Sequence, residues 1–318
     1  MDRRDVLRRK VEDIDLDEVP MAGSLVDAMG RGGGFTAKKI ADGVSILRTL
    51  FRRRGCTTFL SFPAALMATG VRGVLRGLVE RKLVDVVITT CGTADHDLAR
   101  VWRPYYHGDF EMDDVALHRL GVNRLGNILV PNESYGIVLE KKLQPMLRDL
   151  WASGRRSLST KELLWEFGRR TESRESLLWW AWRNRIPVYV PAMLDGAVGY
   201  QLWSFWQDHR SFAIDGFRDE SELADLVFSA KETGALMIGG GVSKHHTIWW
   251  NQFRGGLDYA VYITTAPEWD GSLSGARVRE GISWGKVKES ARQVTIEGDA
   301  SALLPLIVAA ALPRRKKR

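Results

Sequence analysis

The sequence predicts an α/β fold, an open, mostly parallel Rossmann-like sheet with helices on both faces and an N-terminal arm. Three observations carry this expectation. Apolar runs of about five to eight residues recur without clean alternation, the pattern of strands buried on both faces. Segments of helical period lie between them. Several runs also end in glycine or small polar residues, at the position where parallel α/β sheets hold ligands. With 318 residues and 45% hydrophobic content, the chain is long enough to bury such a core.

Residues 1–35 are polar and charged and end in "GRGGGF", which reads as an arm or lid on a flexible joint. A helical pattern then runs through "KKIADGVSILRTLFRR". Strands are expected at "CTTFLSF", "VDVVITTCGT", "NILVPN", "IPVYVPAMLDG", "GALMIGGG" and "YAVYITTA". Helices are expected at "VRGVLRGLVERKL" and, from Arg174 to Trp182, at "RESLLWWAW". One domain is read over 36–312, followed by a basic tail at 313–318. Strand ends carry Thr90-Cys91-Gly92, Asp195-Gly196, Gly239-Gly240-Gly241 and Thr265-Ala266. Small residues there let a flat or phosphorylated ligand approach the backbone, as in a dinucleotide crevice, although ligand-free tight turns use the same residues.

Charge and cysteine usage narrow the class. The formal charge of +7 suggests an acidic partner, but five of those charges sit in the closing "PRRKKR", leaving +2 for the rest. A solvated tail, with at most weak nucleic-acid contact, accounts for the excess. Cys56 and Cys91 form no C-x-x-C pattern, which argues against a disulfide framework or structural zinc and fits a cytoplasmic setting. The charged N-terminus lacks a secretory h-region, and "ALLPLIVAAAL" is too short to cross a bilayer, so no membrane partner is expected.

Two stretches are dense in chemistry. "MIGGGVSKHHTIWW" is no P-loop, because Ser243 rather than glycine precedes Lys244, and no G-x-G-x-x-G, because Lys244 falls at the last glycine. The adjacent His245 and His246 point apart on helix or strand, so no metal is expected. "EWDGSLSGARVREGISWGKVKES" gathers acids, serines, Arg277, Trp284 and Lys286 around four glycines, reading as a surface loop and charged helix or as a site. Gly281 and Gly285 would each weaken an exposed helix by about 1 kcal/mol, which points to close backbone approach. Lys286 is a candidate nucleophile if burial against Trp284 and the neighbouring Lys288 favour its neutral form, which otherwise costs about 4.6 kcal/mol at pH 7.

Together with "GFTAKKIADG", "GVNRLGNILVPNESY", "LDYAVYITTA" and "DASALLPLIVAAAL", these stretches resemble deoxyhypusine synthase, particularly its archaeal form, over roughly residues 30–312. The resemblance implies NAD-dependent transfer of the aminobutyl group of spermidine, by way of an imine on an enzyme lysine, to one lysine of the initiation factor 5A precursor. The family's S-W-G-K motif puts that lysine at Lys286, and the resemblance makes the first histidine of the pair, His245, the substrate-facing one. It places substrate contacts at Glu280, Trp284, Asp95, His96, Gly271 and Ser272. Contacts with NAD fall on Thr90, Cys91, Gly92, Asp195, Gly240, Thr265, Ala266, Ser274, Asp299 and Ala300. Asp299 is equally suited to cap the last helix. A homotetramer with shared sites is implied as well, and twelve tryptophans fit extensive interfaces.

The chain departs from the eukaryotic pattern at Tyr200 and Leu273, where that pattern has acids, and at Trp249, where it has asparagine. A carboxylate pair near the NAD is reduced to Asp95 and His96. Homospermidine synthase, with putrescine as acceptor, and a non-catalytic NAD- or RNA-binding protein are the alternatives to this reading.

Overall fold

A computed structural model describes residues 2–7, 13 and 22–313. The expected basic tail beyond Pro313 and much of the expected arm lie outside the described residues. Six strands build the central sheet: β1 (Cys56–Ser61), β2 (Val86–Ile88), β3 (Val188–Tyr189), β4 (Glu232–Ile238), β5 (Leu257–Thr264) and β6 (Val287–Glu297). They pair in the order β6-β5-β4-β1-β2-β3, every pair parallel. This is the doubly wound order in which the chain leaves β1 in one direction and later returns to build outward in the other. One row of the register runs Val86, Phe59, Ala235, Ala260, Gln293.

Alternation along each strand divides the core in two. Leu60, Val87, Leu236, Val261 and Ile263 face the larger cluster, covered by the helices Phe35–Leu50, Val71–Glu80 and Ala300–Ala311. Phe59, Val86, Ala235, Ala260 and Tyr262 face the smaller one. There they meet Leu223 and Val227 of the helix Gly216–Ser229 and Ile248 of the helix Gly241–Gln252. The helix Ala22–Gly32 packs beside Phe35–Leu50, with Val26 fully buried and Asp27 accepting from Arg48 Nη1 at 2.6 Å.

Two strand expectations change. "NILVPN" is extended over Ile128–Pro131, but in a separate three-stranded antiparallel sheet with Tyr106–His107 and Val122–Leu125. From that sheet Ile128 and Val130 still reach the larger core cluster, while Leu129 packs locally with Leu117 and Val122. The sixth central strand is instead β6, inside and beyond the stretch read as loop and charged helix, of which Glu280–Ser283 is α-helical and Glu268–Asp270 forms one 3-10 turn. As an edge strand it has one ladder neighbour, and Lys288, Glu289, Ser290 and Arg292 stay half or fully exposed, which hides the apolar period. The helix expected from Arg174 begins at Leu177, after Ser176 caps it by accepting from Trp179 N.

That helix start is also held by a buried ion pair. Asp97, fully buried, accepts from Arg72 Nε at 3.0 Å, Ser176 Oγ at 2.7 Å, and the backbone N–H groups of Leu177 and Leu178, each at 3.0 Å. Asp97→Ala removes the nearest carboxylate from a guanidinium that is 2% exposed, leaving it Glu175 O at 2.7 Å and Asp13 at 3.7 Å, and strands two helix-end donors. It is expected to lower unfolding free energy by about 3–5 kcal/mol, read from urea titration, while a loss under 1 kcal/mol would contradict this account.

Candidate functional site

Parallel strands bring all six carboxyl ends to one edge of the sheet, and most of the glycine-rich and small residues singled out above lie there. Thr90 precedes the helix Cys91–Trp102 after β2, and Gly240 precedes Gly241–Gln252 after β4. Thr265 and Ala266 follow β5, while Asp299 and Ala300 open the last helix after β6. Asp195 is exposed in the longer connection after β3. Strand order reverses between β1 and β4, and at that point the two loops touch: a Cβ on Gly239 would sit 3.3 Å from Pro63 Cγ. Ser61 Oγ, at the end of β1, is buried without a hydrogen-bond partner among the described residues.

The chain itself explains several of these residues. A Cβ on Gly240 would meet Ser274 Oγ at 2.3 Å and Ser274 N at 2.4 Å, so glycine is required by the loop folded over it. Tyr262 Oη and Thr264 Oγ1 donate to Ser274 O at 2.7 and 2.9 Å. Ser272 N and Oγ donate to Asp270 Oδ1, each at 2.8 Å, and Gly271 takes the left-handed conformation (φ 70°) that turns the loop. Asp299 accepts from Ala302 N at 3.2 Å and caps the last helix. Gly196 is packed so closely that a Cβ would lie 2.8 Å from both Asp95 Oδ2 and Cys91 Sγ.

Lys244 holds the loop from the sheet side. Its ammonium, 2% exposed, donates to Leu273 O at 2.7 Å and Ala276 O at 2.5 Å and lies 3.8 Å from the centre of the Tyr262 ring. Burial lowers its pKa to about 8, with Glu280 opposing the shift and Arg277 adding to it. His246 turns the other way, toward Glu220 Oε1 at 3.2 Å, and burial lowers its pKa to about 4.

On the opposite flank of the helix Gly241–Gln252 a second cluster forms. Gly285 (φ 67°) bends the chain into β6, and Lys286 N donates to Gly281 O at 2.8 Å. Lys286 Nζ stands 5.0 Å from the ring centre of Trp284 and 5.8 Å from that of Trp249. The Trp249 indole in turn stacks on His245, with centroids 5.7 Å apart and planes 24° apart. His245 has its pKa lowered by burial and then by the Lys286 charge, so one chain brings the two together. Glu280 is exposed and, with Lys244, Leu273, Trp284 and Lys286, lines a cavity of about 50 Å³. Lys288, expected to crowd Lys286, is paired with Asp258 at 2.5 Å instead.

Asp95 and His96 belong to another neighbourhood. Asp95 is 1% exposed and accepts from Ala197 N at 2.9 Å, Val198 N at 2.7 Å and Tyr135 Oη at 2.7 Å, capping the helix Ala197–Asp208. Burial nonetheless raises its pKa. His96 Nδ1 is 2.9 Å from Tyr105 Oη, and burial lowers its pKa to about 4. Neither is brought to Lys286 within the chain. Tyr200 is exposed beside Trp203 on the helix that Asp95 caps. Trp249 was legible only as a departure from a pattern, although its position four residues after His245 places both on one helix face.

Comparison with known proteins identifies the family. A family profile described as deoxyhypusine synthase matches residues 24–311. A relative named "Probable deoxyhypusine synthase" from Picrophilus torridus is 54% identical, covering 97% of this chain and 99% of its own. One of the same name from Thermoplasma acidophilum is 51% identical with the same coverage. A crystal structure described as a "putative deoxyhypusine synthase" from Entamoeba histolytica shares the fold, with a TM-score of 0.68, 21% identity and coverage of 94% and 96%. The chain therefore belongs to the deoxyhypusine synthase family, transferases that form deoxyhypusine in hypusine biosynthesis.

Proposed function

We propose that this protein transfers the 4-aminobutyl group of spermidine to a lysine of the initiation factor 5A precursor, with NAD as hydride carrier. The observation that carries the reading is the Lys286 amine set near the His245 imidazole, beside two indoles and next to a small cavity that Glu280 also lines.

The residues present fit a dinucleotide. Helices begin directly after β2, β4 and β6, and the unpartnered Ser61 Oγ lies where the strand order reverses. Thr90, Cys91, Gly92, Asp195, Gly240, Thr265, Ala266, Ser274, Asp299 and Ala300 are the residues proposed to hold NAD. Bound there, NAD supplies a hydride acceptor and returns the hydride at the end of the cycle.

The remaining work falls to side chains. His245, held neutral by its lowered pKa, accepts the proton of the secondary amine as the carbon beside it is oxidised. Lys286 attacks the resulting carbon–nitrogen double bond, and 1,3-diaminopropane leaves with the original nitrogen. The four-carbon unit remains as an imine on Lys286 until the acceptor lysine displaces it in the same way. Glu280 faces the terminal ammonium from the rim, and Trp284 walls the methylenes. Gly271 and Ser272 shape the loop beside them, while Asp95 and His96 would act from the neighbouring connection.

The proposal includes a cytoplasmic homotetramer. Cys56 and Cys91 are free and buried, no described helix is long and apolar enough to cross a membrane, and Phe217, Phe253 and Trp269 expose large aromatic faces.

Two outcomes are expected. With labelled spermidine and NAD, the wild type labels the factor, and Lys286→Ala lowers the rate by more than about 10³-fold while still binding NAD. Absence of label with the wild type, or label on putrescine in place of the factor, would overturn the assignment. The second outcome concerns pH. A base whose pKa is depressed stays neutral to lower pH, so activity should fall only as pH drops below the ordinary histidine value of about 6.5. The His245 ring, followed by NMR, should titrate below that value and move up toward it in Lys286→Ala, because the repelling cation is gone. An unchanged midpoint would separate the two groups.

A further inference from the structure

We propose that Trp249 is a specificity-determining residue, forming with Trp284 a neutral aromatic slot for the secondary ammonium of the polyamine. The inference rests on the proposed reaction and adds a residue to it. In the substrate-free chain the slot already holds a cation, since Lys286 Nζ lies 5.0 Å from one indole centre and 5.8 Å from the other. Both distances fall inside the roughly 6 Å reach of a cation–π contact. Lys39, Lys161 and Lys288 each pair with a carboxylate, whereas among the described residues no carboxylate pairs with Lys286.

The slot is also braced. Trp249 stacks against His245, and the Phe253 ring meets it at 90° with centroids 5.8 Å apart. It is 42% exposed and Trp284 is 66% exposed, so both indoles present surface to solvent and hence to a ligand. Leu273, which lines the adjoining cavity, brings no charge there. The two rings attract an ammonium flanked by methylenes, because they take the alkyl chain and the charge together.

The location fits the chemistry. The bond that Lys286 replaces is the one to the secondary nitrogen, so that nitrogen must come close to Lys286 Nζ and hence to the two indoles beside it. The carboxylate Glu280 stands at the rim for a terminal ammonium.

Calorimetry with spermidine and 1,8-diaminooctane tests this, the second molecule having the same length with CH₂ in place of the secondary amine. Titrations are run with and without NADH, which cannot accept a hydride. Trp249→Leu should weaken spermidine about 5-fold and diaminooctane less than about 2-fold, while Trp249→Phe stays within about 2-fold of wild type for both. Trp284→Leu should repeat the pattern through the other face. Equal weakening of the two ligands in Trp249→Leu would make the indole a mere apolar wall and overturn the slot. So would unchanged spermidine binding, or no binding by the wild type in either condition. Failure of the protein-labelling reaction with this binding pattern intact would instead count against the acceptor.

Discussion

The buried Lys244 ammonium is the interaction on which the site depends. It reaches from the helix Gly241–Gln252 under the β5–β6 connection and binds two of its carbonyls, at Leu273 and Ala276. Removing an ammonium from water is costly, and here the cost is offset by two charge-assisted hydrogen bonds and the Tyr262 ring face. Because the anchored loop starts at the carboxyl edge and ends at Lys286, the same contact fixes Ser274 against Gly240 and the placement of Lys286. The lysine beside the glycine run is a structural tie, and its half-buried neighbour His245 stacks on Trp249 instead.

Carboxylates show a similar division of labour. Asp95 and Asp97 are two residues apart on the helix Cys91–Trp102, both essentially unexposed, and each anchors the start of a later helix. Buried helix starts need acceptors for their free N–H groups, and a buried carboxylate needs donors, so each satisfies the other. Glu280, by contrast, anchors no helix start and stays exposed in the lining of the cavity that Lys286 shares.

Legibility in the sequence followed burial. β1, β2, β4 and β5 are buried on both faces and read directly as apolar runs. β6 did not, because an edge strand presents polar residues on its free side. Ile128–Pro131 looked the same as a central strand, since a run of four apolar residues records burial but not which sheet supplies it. The small residues at the carboxyl edge were visible, yet the packing that makes Gly240 necessary comes from Ser274, 34 residues later, which no local pattern contains. Lys286 and His245 were found through resemblance to a family. Their convergence within one chain depends on a loop held by Lys244, a contact that spacing cannot disclose.

The β5–β6 connection explains how two distant functions share one element. Thr265 and Ala266 leave the carboxyl edge of the sheet, and twenty residues later the chain enters β6 at its amino end, next to Lys286. The connection therefore crosses the sheet from its carboxyl edge to the amino end of β6. It touches Gly240 at Ser274 near its start and Gly281 at Lys286 near its end. The segment is clamped in the middle by Lys244, so the positions of its two ends are tied to one contact. A parallel sheet places its ligand loops and its strand entrances on opposite edges, and a long crossover over the sheet's smaller-core face is the direct way for one chain to serve both.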